Sequence, residues 1–164
     1  MIEMTPGITR ANEGMDGIRW TILGQIYIPK QLSAHSFSWH ATFPTGTFVP
    51  PHIHPRHDEF VYMLEGKLDL LLDVDEASAE PGDFVRLPMG HPDGIFNKTD
   101  QDVKCLFWVS PSGRLYDLFW AIHDMGPDAD PADLVARDPR HGLRDPCAGL
   151  AGEVGVDPVR ISEA

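Results

Sequence analysis

Residues Gly46–Gly66 read GTFVPPHIHPRHDEFVYMLEG. His52 and His54 stand one residue apart, so on a strand both imidazoles point to the same face. Glu59 follows after a four-residue turn and opens the strand-like run Glu59–Leu64. A hairpin of that kind brings the carboxylate beside the two imidazoles. Two histidines and one carboxylate form the facial triad that suits Fe(II), and the same donors accept Mn, Ni and Zn. An isolated His-x-His also arises by chance or for structural reasons. The longer pattern Gly-x5-His-x-His-x4-Glu-x6-Gly has an accidental probability on the order of 10⁻⁴ at this chain's composition.

Outward from this stretch, Gly and Pro, 15 of each, cut the first two thirds of the 164-residue chain into short segments. Ile18–Ile28, Ser36–Phe43, Leu68–Val74, Phe84–Leu87, Gly94–Asn97 and Val103–Val109 are rich in β-branched, aromatic and aliphatic residues. Pro44–Gly46, Pro50-Pro51, Glu65-Gly66, Pro81–Asp83 and Lys98–Asp100 separate these runs. Many short strands with closely spaced turns predict an all-β sandwich or barrel. Trp39, Tyr62, Phe84, Phe107 and Trp108 are read mostly as barrel core. Val61 and Met63 share strand parity with Glu59 and are better pocket candidates than Tyr62. After Pro111 the pattern becomes helical: Ser112 is placed to cap a helix over Arg114–His123, with Leu115, Leu118, Phe119 and Ile122 on one face. A second short helix is predicted at Pro131–Ala136, then an irregular tail from Arg137. The length predicts one domain over residues 1–164, with a barrel over about 17–110 and a C-terminal extension over about 111–164.

The net charge of −12 repels phosphate backbones and anionic lipids, which argues against nucleic-acid and membrane-surface roles. No apolar run reaches the ~20 residues of a membrane span. The first residues lack the basic and apolar regions of a signal peptide, and only Cys105 and Cys147 carry thiols. Both features lead to the expectation of a cytoplasmic protein. There is no nucleophile elbow, phosphate-cradling glycine loop or Cys-x-x-Cys pair. His57, in the turn, is read as solvated, and as the next substitute ligand after His91. His35, His40, His123 and His141 are read as structural or surface residues.

The pattern over Gly46–Gly66 resembles the first motif of the cupin superfamily. The second motif, Gly-x5-Pro-x-Gly-x2-His-x3-Asn, resembles GDFVRLPMGHPDGIFN, in which Gly82, Pro88, Gly90 and Asn97 fall in register. Only 15 residues separate the two motifs, as in compact single-domain bacterial cupins. The motif resemblance covers residues 46–97. A weaker similarity to quercetin dioxygenase-like members, in SPSGRLYDLFWAIHDMG and DPADLVARDPRHGL, extends it to about residue 142. The resemblance implies a jelly-roll barrel (double-stranded β-helix) with a short helical extension. It also implies one divalent metal per chain (Fe, Mn, Ni or Zn), a small-molecule substrate and a homodimer.

This chain departs from the pattern at one place. Asp93 stands where the family has its last histidine ligand, and His91 lies two positions earlier. Three readings follow: Asp93 completes the metal set of His52, His54 and Glu59; His91 swings in; or three ligands suffice and Asp93 acts as a general base. Glu59 and Asp93 are the candidate catalytic carboxylates. The foremost functional expectation is a quercetinase-like dioxygenase. The alternatives are a non-oxidative metal-dependent isomerase, lyase or decarboxylase, and a non-catalytic ligand-binding cupin.

Overall fold

The computed structural model describes residues 4–126. Ten strands are followed by one helix: β1 (Trp20–Ile22), β2 (Gln25–Leu32), β3 (Phe37–Phe43), β4 (Phe48–Ile53), β5 (Asp58–Glu65), β6 (Leu68–Leu72), β7 (Asp75–Ala79), β8 (Phe84–Leu87), β9 (Pro92–Phe96), β10 (Val103–Ser110) and α1 (Leu115–Met125). They form a six-stranded sheet, β1-β2-β3-β10-β5-β8, and a four-stranded sheet, β4-β9-β6-β7. All pairs are antiparallel. This is the predicted jelly-roll barrel with a short helix behind it. The second predicted helix, the tail, His141 and Cys147 lie outside the described residues.

Period-2 alternation turns one face of each strand inward. Phe37, Trp39, Ala41 and Phe43 of β3 are buried, as are Val103, Cys105, Phe107 and Val109 of β10. Trp39 and Phe107, paired across these strands, stack with centroids 5.3 Å apart. Val61 and Met63 are buried in step with Glu59, as their parity predicts. Tyr62 and Phe84, read as core, instead lie on the outer face at 39% and 46% exposure. Each neighbours an inward residue on its strand, so both must point out.

Three local features depart from the sequence reading. Ile18–Ile28 is broken by a two-residue turn: Leu23 and Gly24 take φ of 51° and 80°, folding β1 back on β2. Positive φ at both central residues gives the turn the twist of a hairpin. Leu23 adopts it against the preference of a branched side chain, so no turn signal marks the place. β7, with sequence DEASA, is an edge strand whose charges suit an unpaired rim and hide it from hydrophobic patterning. Pro50 and Pro51, read as a turn, lie inside β4. Between Val49↔Ile95 and His52↔Asp93 the register shifts by one residue. Proline has no N–H for the ladder, so a bulge forms there. Without the bulge, Val49 and His52 would face opposite sides of the sheet. The extra residue turns His52 to the same face as Asp93.

Gly66 ends β5 at φ 77°, and a Cβ there would come within 2.9 Å of Val103 Cγ2. The last glycine of the first motif is therefore demanded by backbone handedness and by space. Asn97 organises the turn after β9. Its Nδ2 donates to Phe43 O (2.8 Å) and Gln101 O (2.7 Å), and its Oδ1 accepts from Thr99 N (3.0 Å).

α1 buries Leu115, Leu118, Phe119 and Ile122, the face predicted from spacing. Phe119 meets Trp39 edge-on at 4.9 Å and Trp20 at 5.7 Å. Ser112 does not supply the predicted side-chain cap; Arg114 holds that position, and Ser112 contributes only its carbonyl to Leu115 N. His123 Nδ1 accepts from Thr21 N at 3.2 Å, tying the helix to β1.

Candidate metal centre

His52 and Asp93 enter the barrel from β4 and β9, where they are direct cross-strand partners. His54 follows β4 immediately, and its carbonyl accepts from Gly90 N at 2.9 Å, which holds the chain against the β8–β9 turn. Asp58 Oδ1 accepts from Met89 N at 2.9 Å and fixes the start of β5 to the same turn. Glu59 then points inward, beside Leu87 of β8 and Val109 of β10.

The route from the histidines to Glu59 differs from the expected hairpin. β4 belongs to the four-stranded sheet and β5 to the six-stranded one. The turn therefore crosses between sheets, and Glu59 meets the imidazoles through the barrel interior. Crossing brings His57 along. This side chain, read from sequence as solvated, is only 8% exposed.

His52 Nε2 and His54 Nε2 are 2.8 Å apart, and His54 Nε2 is 3.5 Å from Glu59 Oε2. His52 Nδ1 donates to Pro50 O at 3.0 Å in the tautomer that leaves Nε2 bare. Such an outer hydrogen bond orients a metal-binding imidazole and presents its other nitrogen as a lone pair. Two overlapping groups of ligand atoms lie within 4.8 Å of one another: His52, His54 and Asp93, and His54, His57 and Glu59. His54 belongs to both. All four residues singled out from sequence thus converge, together with His57. His91 does not join them. Its ring lies at the surface, with Nδ1 3.0 Å from Asp73 Oδ1. β9 begins only at Pro92, so residues 91 and 93 do not share a strand face.

Burial dominates the electrostatics. It pushes the Glu59 carboxyl well above the usual carboxylate range, with the Asp93 charge adding to the effect. It raises Asp93 to about 6, against an opposing pull from His52. It holds His54 well below the ordinary imidazole value, with His52 and His57 adding to this. His57 is lowered to about 4 by burial and then by His52, with Asp58 opposing. Deeper in the barrel, Tyr27 donates to Gln25 Oε1 at 2.7 Å, and Gln25 Nε2 donates to Phe48 O at 2.9 Å. Burial, then Glu59, raises the Tyr27 phenol. Sequence reading missed this pair because Gln25 and Tyr27 lie in an otherwise apolar run.

The donor set fits a divalent cation. Asp93 Oδ2 and His57 Nε2 are buried without hydrogen-bond partners. Neither Glu59 nor Asp93 pairs with lysine or arginine among the described residues. Buried carboxylates need a compensating charge. Beyond Asp93 a cavity of about 190 Å³ is lined by residues that include Leu72, Arg86, Leu87, Pro88 and His91.

Residues 39–109 match the family model described as a cupin domain. A curated relative, the Tetracenomycin polyketide synthase protein TcmJ of Streptomyces glaucescens, is 27% identical over 84 residues. The match spans 51% of this chain and 56% of that protein, so the chain covers little more than half of this relative. Among solved structures, KdgF from Halomonas sp. superposes with a TM-score of 0.58 at 20% identity, covering 65% of this chain and 94% of its own. An RmlC-like cupin from Shewanella frigidimarina gives 0.52 at 18% identity, covering 57% and 81%. At these identities the two structures show the shared fold alone. No helix among the described residues is long and apolar enough to cross a membrane.

Proposed function

We propose that this chain is a metal-dependent enzyme acting on a small molecule that bears an enol or phenol oxygen. The observation that carries the reading is the convergence of half-buried His52 with buried His54, Glu59 and Asp93, where two carboxyl groups share an apolar barrel and neither pairs with a lysine or arginine among the described residues. His52, His54 and Glu59 are the residues that would hold the cation. When bound, a divalent cation supplies a Lewis acid that lowers the pKa of a coordinated hydroxyl. Asp93 lines the cavity beside Leu87 and Pro88, and its carboxyl, raised to about 6, suits proton transfer near neutral pH. Met63, Val61 and Leu87 line the inner wall and exclude bulk water.

Dioxygen is the foremost co-substrate on this reading, as in the quercetinase-like cupins. A second, non-oxidative reading is favoured by the extra carboxylate, which supplies a base for isomerisation, cyclisation or cleavage. The similarity to a polyketide synthase protein supports it, because polyketides are rich in enolisable ketones and phenols. The test has two parts. Anaerobic loading with Fe(II) or Mn(II), followed by elemental analysis, should find one metal per chain; no uptake overturns the metal reading. Oxygen uptake is then measured over flavonols, diketones and catechols. Turnover without oxygen uptake overturns the dioxygenase and supports the non-oxidative enzyme.

We also propose a homodimer through the outer face of the six-stranded sheet. Phe60 and Trp108 stack there at 5.4 Å, with Phe84 5.2 Å from Trp108 and Tyr62 exposed nearby.

A further inference from the structure

The cavity beside Asp93 lies at the seam between the two sheets. Leu72 at the end of β6 and Asp93 on β9 come from the four-stranded sheet, and Arg86 and Leu87 on β8 come from the six-stranded one. β8 is an edge strand, and no described strand pairs with its far side. Four ionisable side chains line the cavity: Asp73, Arg86, His91 and Asp93. Two of them hold each other, with His91 Nδ1 at 3.0 Å and 3.1 Å from the Asp73 carboxylate oxygens. Asp93 Oδ2 is buried without a hydrogen-bond partner. Arg86 forms no ion pair among the described residues, although two carboxyl groups share its cavity. The guanidinium and the Asp93 carboxyl therefore line the same cavity, from different sheets, without meeting.

The two groups have complementary demands. A guanidinium offers a planar fork of N–H donors that matches a carboxylate through two parallel bonds, and it keeps its charge across the working pH range. An unpaired carboxyl oxygen accepts from a hydroxyl. A ligand that satisfies both walls carries a carboxylate at one end and a hydroxyl at the other. Leu72, Leu87 and Pro88 suit an apolar body between them. The volume of about 190 Å³ limits that body to one ring or a short chain. Such a space holds about six waters and is smaller than the roughly 300–1,000 Å³ of sites for drug-sized ligands.

Resting on the metal-dependent reading, we propose that the substrate is a small hydroxy acid whose carboxylate is held by Arg86 while its enol or phenol hydroxyl meets Asp93. Arg86 is then a specificity residue that selects against neutral enols and phenols of the same size. Its side chain is exposed, so solvent ions screen the pairing and the selectivity weakens as salt rises.

The test titrates the full chain by calorimetry with 3-hydroxybenzoate and its neutral counterpart 3-hydroxybenzamide. The two groups of this acid are too far apart on the ring to chelate one cation together. Titrations with a chelator present keep the result independent of any metal. The wild type should bind the acid about tenfold more tightly than the amide, as one charge-assisted pair predicts. Arg86→Gln should abolish this preference, leaving amide affinity, metal stoichiometry and the urea midpoint unchanged. Arg86→Lys, which keeps the charge without the fork, should retain part of it. Equal affinities for acid and amide in the wild type, or an unchanged preference in Arg86→Gln, overturn the proposal while leaving the metal reading intact. Absence of Fe(II) or Mn(II) uptake overturns the metal reading, and the chelated titrations then decide the carboxylate site by themselves.

Discussion

Replacing Asp93 by Asn should make the metal-free protein relatively more stable as pH rises. Burial raises the Asp93 carboxyl to about 6, against an ordinary value of 3.8. Between these values the folded chain holds a proton that the unfolded chain has lost. The stability this group contributes is therefore fully present below the unfolded value and is lost as pH rises through about 6. Linkage puts the cost of ionising it at about 1.5 kcal/mol at pH 5 and about 3 kcal/mol at pH 8. Asn has no such titration. The stability difference between Asp93→Asn and wild type should move by roughly 1.5 kcal/mol in favour of the variant over that interval. A fixed cost of burying an amide beside His52 shifts both ends equally, so the slope carries the test. His57, lowered to about 4, contributes the opposite slope, rising with pH, and cancels because it is present in both proteins. The assay is urea unfolding with a chelator at pH 5, 6, 7 and 8. A difference that stays flat, or that moves toward wild type, refutes the description of Asp93 as a buried carboxyl without a compensating charge.

Glu59→Gln should separate function from stability: metal affinity falls by well over tenfold, while the metal-free midpoint stays level or rises, as relief of a buried charge predicts. Metal titration and chelated thermal unfolding check the two halves. Phe119→Ala removes a ring packed on Trp20, Tyr27, Phe37 and Trp39 and should cost about 3–5 kcal/mol in urea unfolding, with metal stoichiometry unchanged. Gly66→Ala should cost about 1–2 kcal/mol for its left-handed backbone, plus the contact with Val103, so a neutral result would contradict the turn geometry. Phe84→Glu places a charge in the outer aromatic patch and should convert a dimer to a monomer in light scattering; an unchanged mass would refute that interface.

What could be read without the structure was whatever depends on near neighbours in the chain. The parity of Glu59, Val61 and Met63 follows from strand alternation, and the helical face of Leu115, Leu118, Phe119 and Ile122 from helical spacing. The glycine at 66 and the asparagine at 97 mark turns whose chemistry is local. Leu23 gave no such signal, because its positive φ is imposed by the pairing of β1 with β2.

The site divides along the same line. Sequence alone singled out His52, His54 and Glu59 as candidate metal ligands, and the resemblance set Asp93 beside them. Only tertiary structure decided how these donors meet. A bulge at Pro50-Pro51 turns His52 toward Asp93, 41 residues away along the chain. The crossing between sheets carries His57 from an expected solvated turn into the barrel, and leaves His91 outside on Asp73. Burial is a property of what packs around a residue, and a turn's own residues do not say which sheet its next strand will join.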